Sequence, residues 1–324
     1  MTPQRGRSWG FWTRLKLKVL ADYLEAFLKT TKDKAEEVVY LDAFAGESTG
    51  VDRITGEKFA GSVRIALEAG SDIQFTRLRF FEQPGKAEEL QSGLQSEFPD
   101  RDLKVYPGDC NDTIPRALGE LSDLRWAPTF AFLDPDGMEL SWETIEALAN
   151  HKIGYRAVSS TKPEFKVELW MLFPSMGLIR TLARDETKMS KADEERATRL
   201  LGDESWRAIY AARVREEIDG ATAREEYVNL MRYRLEQDLG YRWTHSLEIK
   251  NEHGNPLYHM IFATDNEAGT EIMEFLYRQA LGDIPAMRRE AIDQRRGQQV
   301  LDLGGDLGAE PDYRYEPPWE PPSR

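Results

Sequence analysis

Four apolar runs, each with an acid at or next to its end, constrain this chain more than any other feature. They are EVVYLD (37–42), TRLRFFE (76–82), LKVYPGD (103–109) and PTFAFLDP (128–135), and their acids are Asp42, Glu82, Asp109 and Asp134. Helical stretches such as KAEELQSGLQSEF separate the runs, and FKVELWMLF (165–173) makes a fifth. A strand buried on both faces reads as a continuous apolar run, so this alternation predicts parallel strands joined by right-handed crossovers. YRWTHSLEI (241–249) and LYHMIFAT (257–264) flank the short NEHGNP segment and predict an antiparallel hairpin. The expected fold is therefore α/β, a Rossmann-like seven-stranded mostly parallel sheet with a helical insertion.

The 324 residues divide by pattern into five stretches. A basic N-terminal arm and helix occupy 1–35, and a cofactor-binding core 36–173. A helical insertion, expected to act as a substrate cap, spans 174–240; the hairpin and a final helix at 241–294 complete the core. Pro- and Gly-rich residues 295–324, with EPPWEPP near the end, read as a tail with little structure of its own. No run of about 18 apolar residues exists to cross a bilayer, and no apolar signal core opens the chain, so a cytoplasmic location is expected. One cysteine, Cys110, excludes internal disulfides and zinc sites of the CxxC kind.

The net charge is −14, yet residues 1–20 contain Arg5, Arg7, Arg14, Lys16 and Lys18 and no acid. An acidic whole argues against coating nucleic acid through global charge; a basic arm interleaved with Trp9, Phe11 and Trp12 keeps local nucleic-acid contact open.

Ligands of open parallel sheets bind beyond the carboxyl ends of the strands, where all four acids fall. The loop after the first strand carries Phe44, Ala45 and Gly46 as close-approach residues, with Asp42 before them. It lacks the GxGxxG and P-loop patterns, and Glu47 disfavours pyrophosphate while tolerating a cationic ligand. Glu82 is placed to accept from ribose hydroxyls, and Asp109 with Cys110 to meet an adenine amino group. Asp134-Pro135 matches the first half of the Asp-Pro-Pro-aromatic motif of base amino-methyltransferases; Asp136-Gly137 does not match the second. Asp134 and Asp136 are thus the candidate catalytic residues, and Lys16, Pro135 and Trp142 the candidate substrate contacts. Met138, Trp142 or Phe173 would have to supply the stacking platform in place of the missing aromatic. None of the four histidines has ligand spacing, and no metal site is expected from them; His259 is expected on the solvent side of its strand.

These residues resemble the three-Cys-motif partner family, TcmP. The likeness runs through WTRLK (12–16), YLDAFAG (40–46), Gly61-Ser62, FFE (80–82), GDCND (108–112) and FLDPDG (132–137) with Trp142. MLFPSMGLIR (171–180), LGDESW (201–206) and YHMIFAT (258–264) complete it. The resemblance implies a class I, S-adenosylmethionine-dependent methyltransferase-like protein that associates with a radical-SAM-like protein carrying a three-cysteine motif. Glu47 in the AFAG loop and the long 151–163 loop depart from that pattern.

Three functions follow. The first is a methyltransferase using S-adenosylmethionine on an amine or base acceptor, nucleic acid among the candidates. The second is a non-catalytic cofactor-binding partner of the three-cysteine protein. The third is a metal-dependent nuclease built on Asp109, Asp134 and Asp136.

Overall fold

The structure, a computed structural model, describes residues 10–32, 35–51, 56, 58–70, 72–152, 165–184, 188–296 and 313–322. Arg5, Arg7 and Trp9, loop residues 153–163 and tail residues 297–312 lie outside the described residues. Alternation of side chains along each strand sorts the core into two layers. In strand β6 (Thr129–Leu133), Phe130 and Phe132 join one buried cluster while Ala131 and Leu133 join the other. The same split divides β1 (Val39–Asp42) and β7 (Glu168–Phe173), whose every residue is buried.

The main sheet also contains β4 (Arg77–Glu82), β5 (Leu103–Pro107), β8 (Trp243–Lys250) and β9 (Pro256–Thr264). Across its seven strands the order is β5-β4-β1-β6-β7-β9-β8. Five strands are mutually parallel, and β9 inserts antiparallel between β7 and β8. The fold is a mixed α/β, Rossmann-like one. A separate small hairpin, β2 (Thr49–Val51) with β3 (Lys58–Ala60), follows the first loop.

On one face lie α1 (Phe11–Thr31), α2 (Ser62–Glu68), α3 (Pro84–Glu97) and α10 (Glu267–Arg296). On the other lie α4 (Cys110–Glu120), α5 (Trp142–Asn150), α7 (Lys191–Leu201), α8 (Trp206–Val214) and α9 (Gly220–Gln237). Short α6 (Ser175–Thr181) follows β7 directly and buries Leu178 in that second layer.

Three expectations need correction. Among the described residues, the helices of 174–240 pack into the sheet's own core and only α6 reaches the cavity described below, so they do not form a cap over it. Gly61 caps α2, and the hydroxyl of Ser62, its first residue, is drawn to the Asp42 carboxylate. Residues 313–322 are docked on the body, not a free terminus. Asn229 and Trp319 exchange two hydrogen bonds of 2.8 and 2.9 Å, the Tyr313 hydroxyl meets His245 Nδ1 at 2.9 Å, and Arg232 donates to the Glu316 carbonyl. Helix α10, moreover, runs to Arg296 through an internal Pro285, beyond the boundary read at 294.

Candidate functional site

From β1 the chain moves outward through β4 to β5 and then returns to β6 on the other side of β1, so the end of β1 is the switch point of the sheet. Main-chain bonds anchor the following loop across that point: Ala43 N–H donates to the Phe132 carbonyl and Ala45 N–H to that of Phe81. Gly46 then takes a left-handed φ of 61°, which turns its N–H onto Glu82 Oε2 at 2.7 Å. The other oxygen of Glu82 accepts from Gln83 N–H at 2.7 Å. A carboxylate has about four acceptor positions. Glu82 therefore stands fixed on the cavity wall with capacity left for ligand hydroxyls.

Above these strand ends lies a cavity of about 810 Å³, within the range of small-molecule sites. Its wall brings together Lys16, Phe44, Ala45, Gly46, Glu82, Asp109, Cys110, Asp134, Pro135 and Asp136 from the residues singled out in sequence. Two others lie elsewhere. Asp42 is fully buried beneath the loop, where Phe44 N–H and the Tyr40 hydroxyl point to it at 3.4 Å; it is a foundation for the loop and not a wall residue. Trp142 packs in the core with the Arg234 guanidinium 4.0 Å from its ring centroid, so it offers a ligand nothing. Of the other proposed platforms, Met138 and Phe173 also pack away from the cavity, and the aromatics that do line it are Trp12, Phe44, Phe81 and Tyr258.

Asp109 performs the turn chemistry and also faces the cavity: its Oδ1 accepts from Asn111 N–H at 2.9 Å and caps α4. The buried Cys110 thiol is pushed up to about 12 by desolvation and by the Asp109 charge, which fits a wall residue and not a nucleophile. Asp134 Oδ2 receives a hydrogen bond from Lys16 Nζ at 2.5 Å. Its Oδ1 is buried and has no hydrogen-bond partner. Burial opposes the Lys16 ammonium, but Asp134, Tyr258 and Asp136 outweigh it and its pKa is raised. The Tyr258 ring centroid lies 5.7 Å from Lys16 Nζ, and burial lifts its hydroxyl to about 12.

Tyr258, Arg180, Lys86 and Glu139 were not found by sequence reasoning. The parity of β9 misled it. His259 is buried and bonded to Ser175 Oγ at 2.9 Å, while Tyr258 turns to the cavity; every residue of β9 from His259 to Thr264 is buried, so that part of the strand presents neither face to solvent. Among the described residues, six acids (Glu47, Glu82, Asp109, Asp134, Asp136, Glu139) face three cations (Lys16, Lys86, Arg180).

No family model matches the chain, and no curated protein matches it. Among solved structures, LPL1258 from Legionella pneumophila str. Philadelphia 1, described under the family model DUF519, is similar over 86% of this chain and 93% of its own. Its identity is 12% and its TM-score 0.46. The protein yhhF from Escherichia coli, which bears a provisional methyltransferase name, is similar over 46% of this chain and 66% of its own, at 14% identity and a TM-score of 0.26. At these scores neither likeness bears on what the cavity does.

Proposed function

We propose that the chain is an S-adenosylmethionine-dependent methyltransferase acting on an amine or base acceptor. One observation carries this reading: Glu82, pinned by Gly46 N–H at 2.7 Å, faces a cavity at the switch point where a nucleoside's sugar would lie. The donor set fits the cofactor. An excess of acids suits a ligand bearing a sulfonium and an ammonium and disfavours a pyrophosphate. When bound, S-adenosylmethionine supplies a methyl group made electrophilic by its positive sulfur. Glu82 would hold the ribose, Asp109 and the Cys110 region the base end, and the Phe44–Gly46 backbone the space between. Asp134 would orient the acceptor.

Isothermal titration with S-adenosylmethionine tests the reading. Saturable binding is expected, weakened at least tenfold by Glu82→Ala; no heat at millimolar ligand removes it.

The resemblance to TcmP adds an expected partner, a three-cysteine radical-SAM-like protein. A non-catalytic cofactor-binding role in that company is the second reading, favoured by Lys16 already holding one oxygen of Asp134. Labelled methyl transfer to RNA, DNA and protein, with Asp134→Ala as control, separates the two. The nuclease reading has less support. Among the described residues, Asp109, Asp134 and Asp136 do not bring ligand atoms within 4.8 Å of one another; only Glu225, Glu248 and His259 do. That group also holds the Arg224 guanidinium 2.8 Å from Glu248, where it opposes a metal cation.

A further inference from the structure

The cavity sorts its charges along the sheet edge, with the acids at the end where the cofactor reading just given, on which this step rests, puts the nucleoside. Glu82 and Asp109 follow β4 and β5, to one side of the switch point. Glu139 belongs to that end, since its carbonyl accepts from Asn111 Nδ2 at 2.8 Å, and Lys86 stands there on α3. The other end is built by β7, the start of β9, α6 and α1. Trp12, Met176, Leu257 and Tyr258 line it with part of their surface open. Among the described residues, its acids are only Asp134 and Asp136 at the junction, and its cations are Lys16 and Arg180. Lys16 is neutralised by Asp134 Oδ2 at 2.5 Å. Arg180, in the last turn of α6, is exposed on the cavity wall and meets no described residue in an ion pair or hydrogen bond.

We infer that the acceptor is an aromatic carboxylate, its negative group met by the Arg180 guanidinium and its ring seated on the α1 and β9 side of the cavity. A guanidinium with no acid opposite it is hydrated, and a carboxylate can exchange that water for two parallel charge-assisted bonds. Trp12 and Tyr258 add flat apolar faces, which suit a ring. The acids at the far end repel the same carboxylate, so charge orients the acceptor with its anionic group toward α6. A phosphate monoester suits the wall less. It brings a charge of about −2 to a single guanidinium, in a cavity whose acids outnumber its cations six to three. Arg180 is on this account a specificity-determining residue and takes no part in proton transfer.

Ligand binding tests this without turnover or cofactor. Dissociation constants of 4-aminobenzoate, of its uncharged amide 4-aminobenzamide and of 4-aminophenyl phosphate are measured by chemical-shift titration on the wild-type chain, Arg180→Gln and Arg180→Lys. The benzoate should bind the wild type at least tenfold more tightly than the amide, and more tightly than the phosphate. Arg180→Gln should shrink the preference for benzoate over amide at least fivefold. Arg180→Lys, which keeps the charge but not the planar fork, should fall between the two. The inference is overturned if the amide binds the wild type as tightly as the benzoate, if the phosphate binds more tightly, if folded wild type takes up no benzoate, or if Arg180→Gln keeps the full preference. The wild-type comparison needs no variant, so it decides even if Arg180→Gln fails to fold. Titration with S-adenosylmethionine is read separately. A loss of cofactor affinity in Arg180→Gln as large as the loss for benzoate would give the guanidinium to the cofactor's own carboxylate and overturn the inference. Discrimination between benzoate and amide without any cofactor uptake would fault the cofactor reading and not this one.

Discussion

Asp42 illustrates how the site is supported from below. Burial pushes its carboxyl up to about 7, with the Asp134 charge adding to the rise and bonds from Ser62, Phe44 and Tyr40 opposing it. A carboxyl that binds its proton more tightly in the folded than in the unfolded chain lowers stability as pH rises from about 4 to about 7. Within that window the loss approaches about 1 kcal/mol per pH unit. Asp42→Asn removes the titration, whatever constant cost its altered hydrogen bonds bring. Denaturant melts at several pH values should therefore show the gap between wild type and variant closing as pH rises; parallel curves would show that Asp42 stays ionised throughout.

At the scale of elements, the docked segment 313–322 is the feature with the clearest energetic consequence. Removing everything after Asp312 leaves the Asn229 amide, the Arg232 guanidinium and His245 Nδ1 without the partners that Trp319, Glu316 and Tyr313 provide. At roughly 1 kcal/mol for each net hydrogen bond, the loss should be about 2–4 kcal/mol, seen calorimetrically as a melting point several degrees lower. An unchanged melting point would mean that the segment is only loosely held in solution. This docking was not legible in the sequence, because EPPWEPP has no periodicity and its affinity depends on a groove built by distant α9 and β8. The strands were legible, since burial on both faces leaves an unmistakable apolar run. So were the acids at their ends, which mark the cavity through Glu82, Asp109 and Asp134. Trp142 was misplaced because an aromatic a few residues past a strand can turn either to the cavity or to the core, and Arg234 and Gly202 draw it into the core.

For the molecule as a whole, the surplus of acids around the cavity gives binding an electrostatic component. S-adenosylmethionine should bind more tightly than S-adenosylhomocysteine, which lacks the positive sulfur. A tenfold rise in ionic strength should shrink that preference by about threefold, because only the partly exposed share of the field is screened. Equal affinities at low salt would assign recognition to shape and hydrogen bonds alone. The chain's single cysteine is Cys110, and its thiol, sealed in the wall and raised to about 12, should ignore maleimides until the fold is opened. A cysteine introduced anywhere on the surface would then be the one addressable handle, so fluorophores or spin labels can be attached at chosen points with the native thiol left in place.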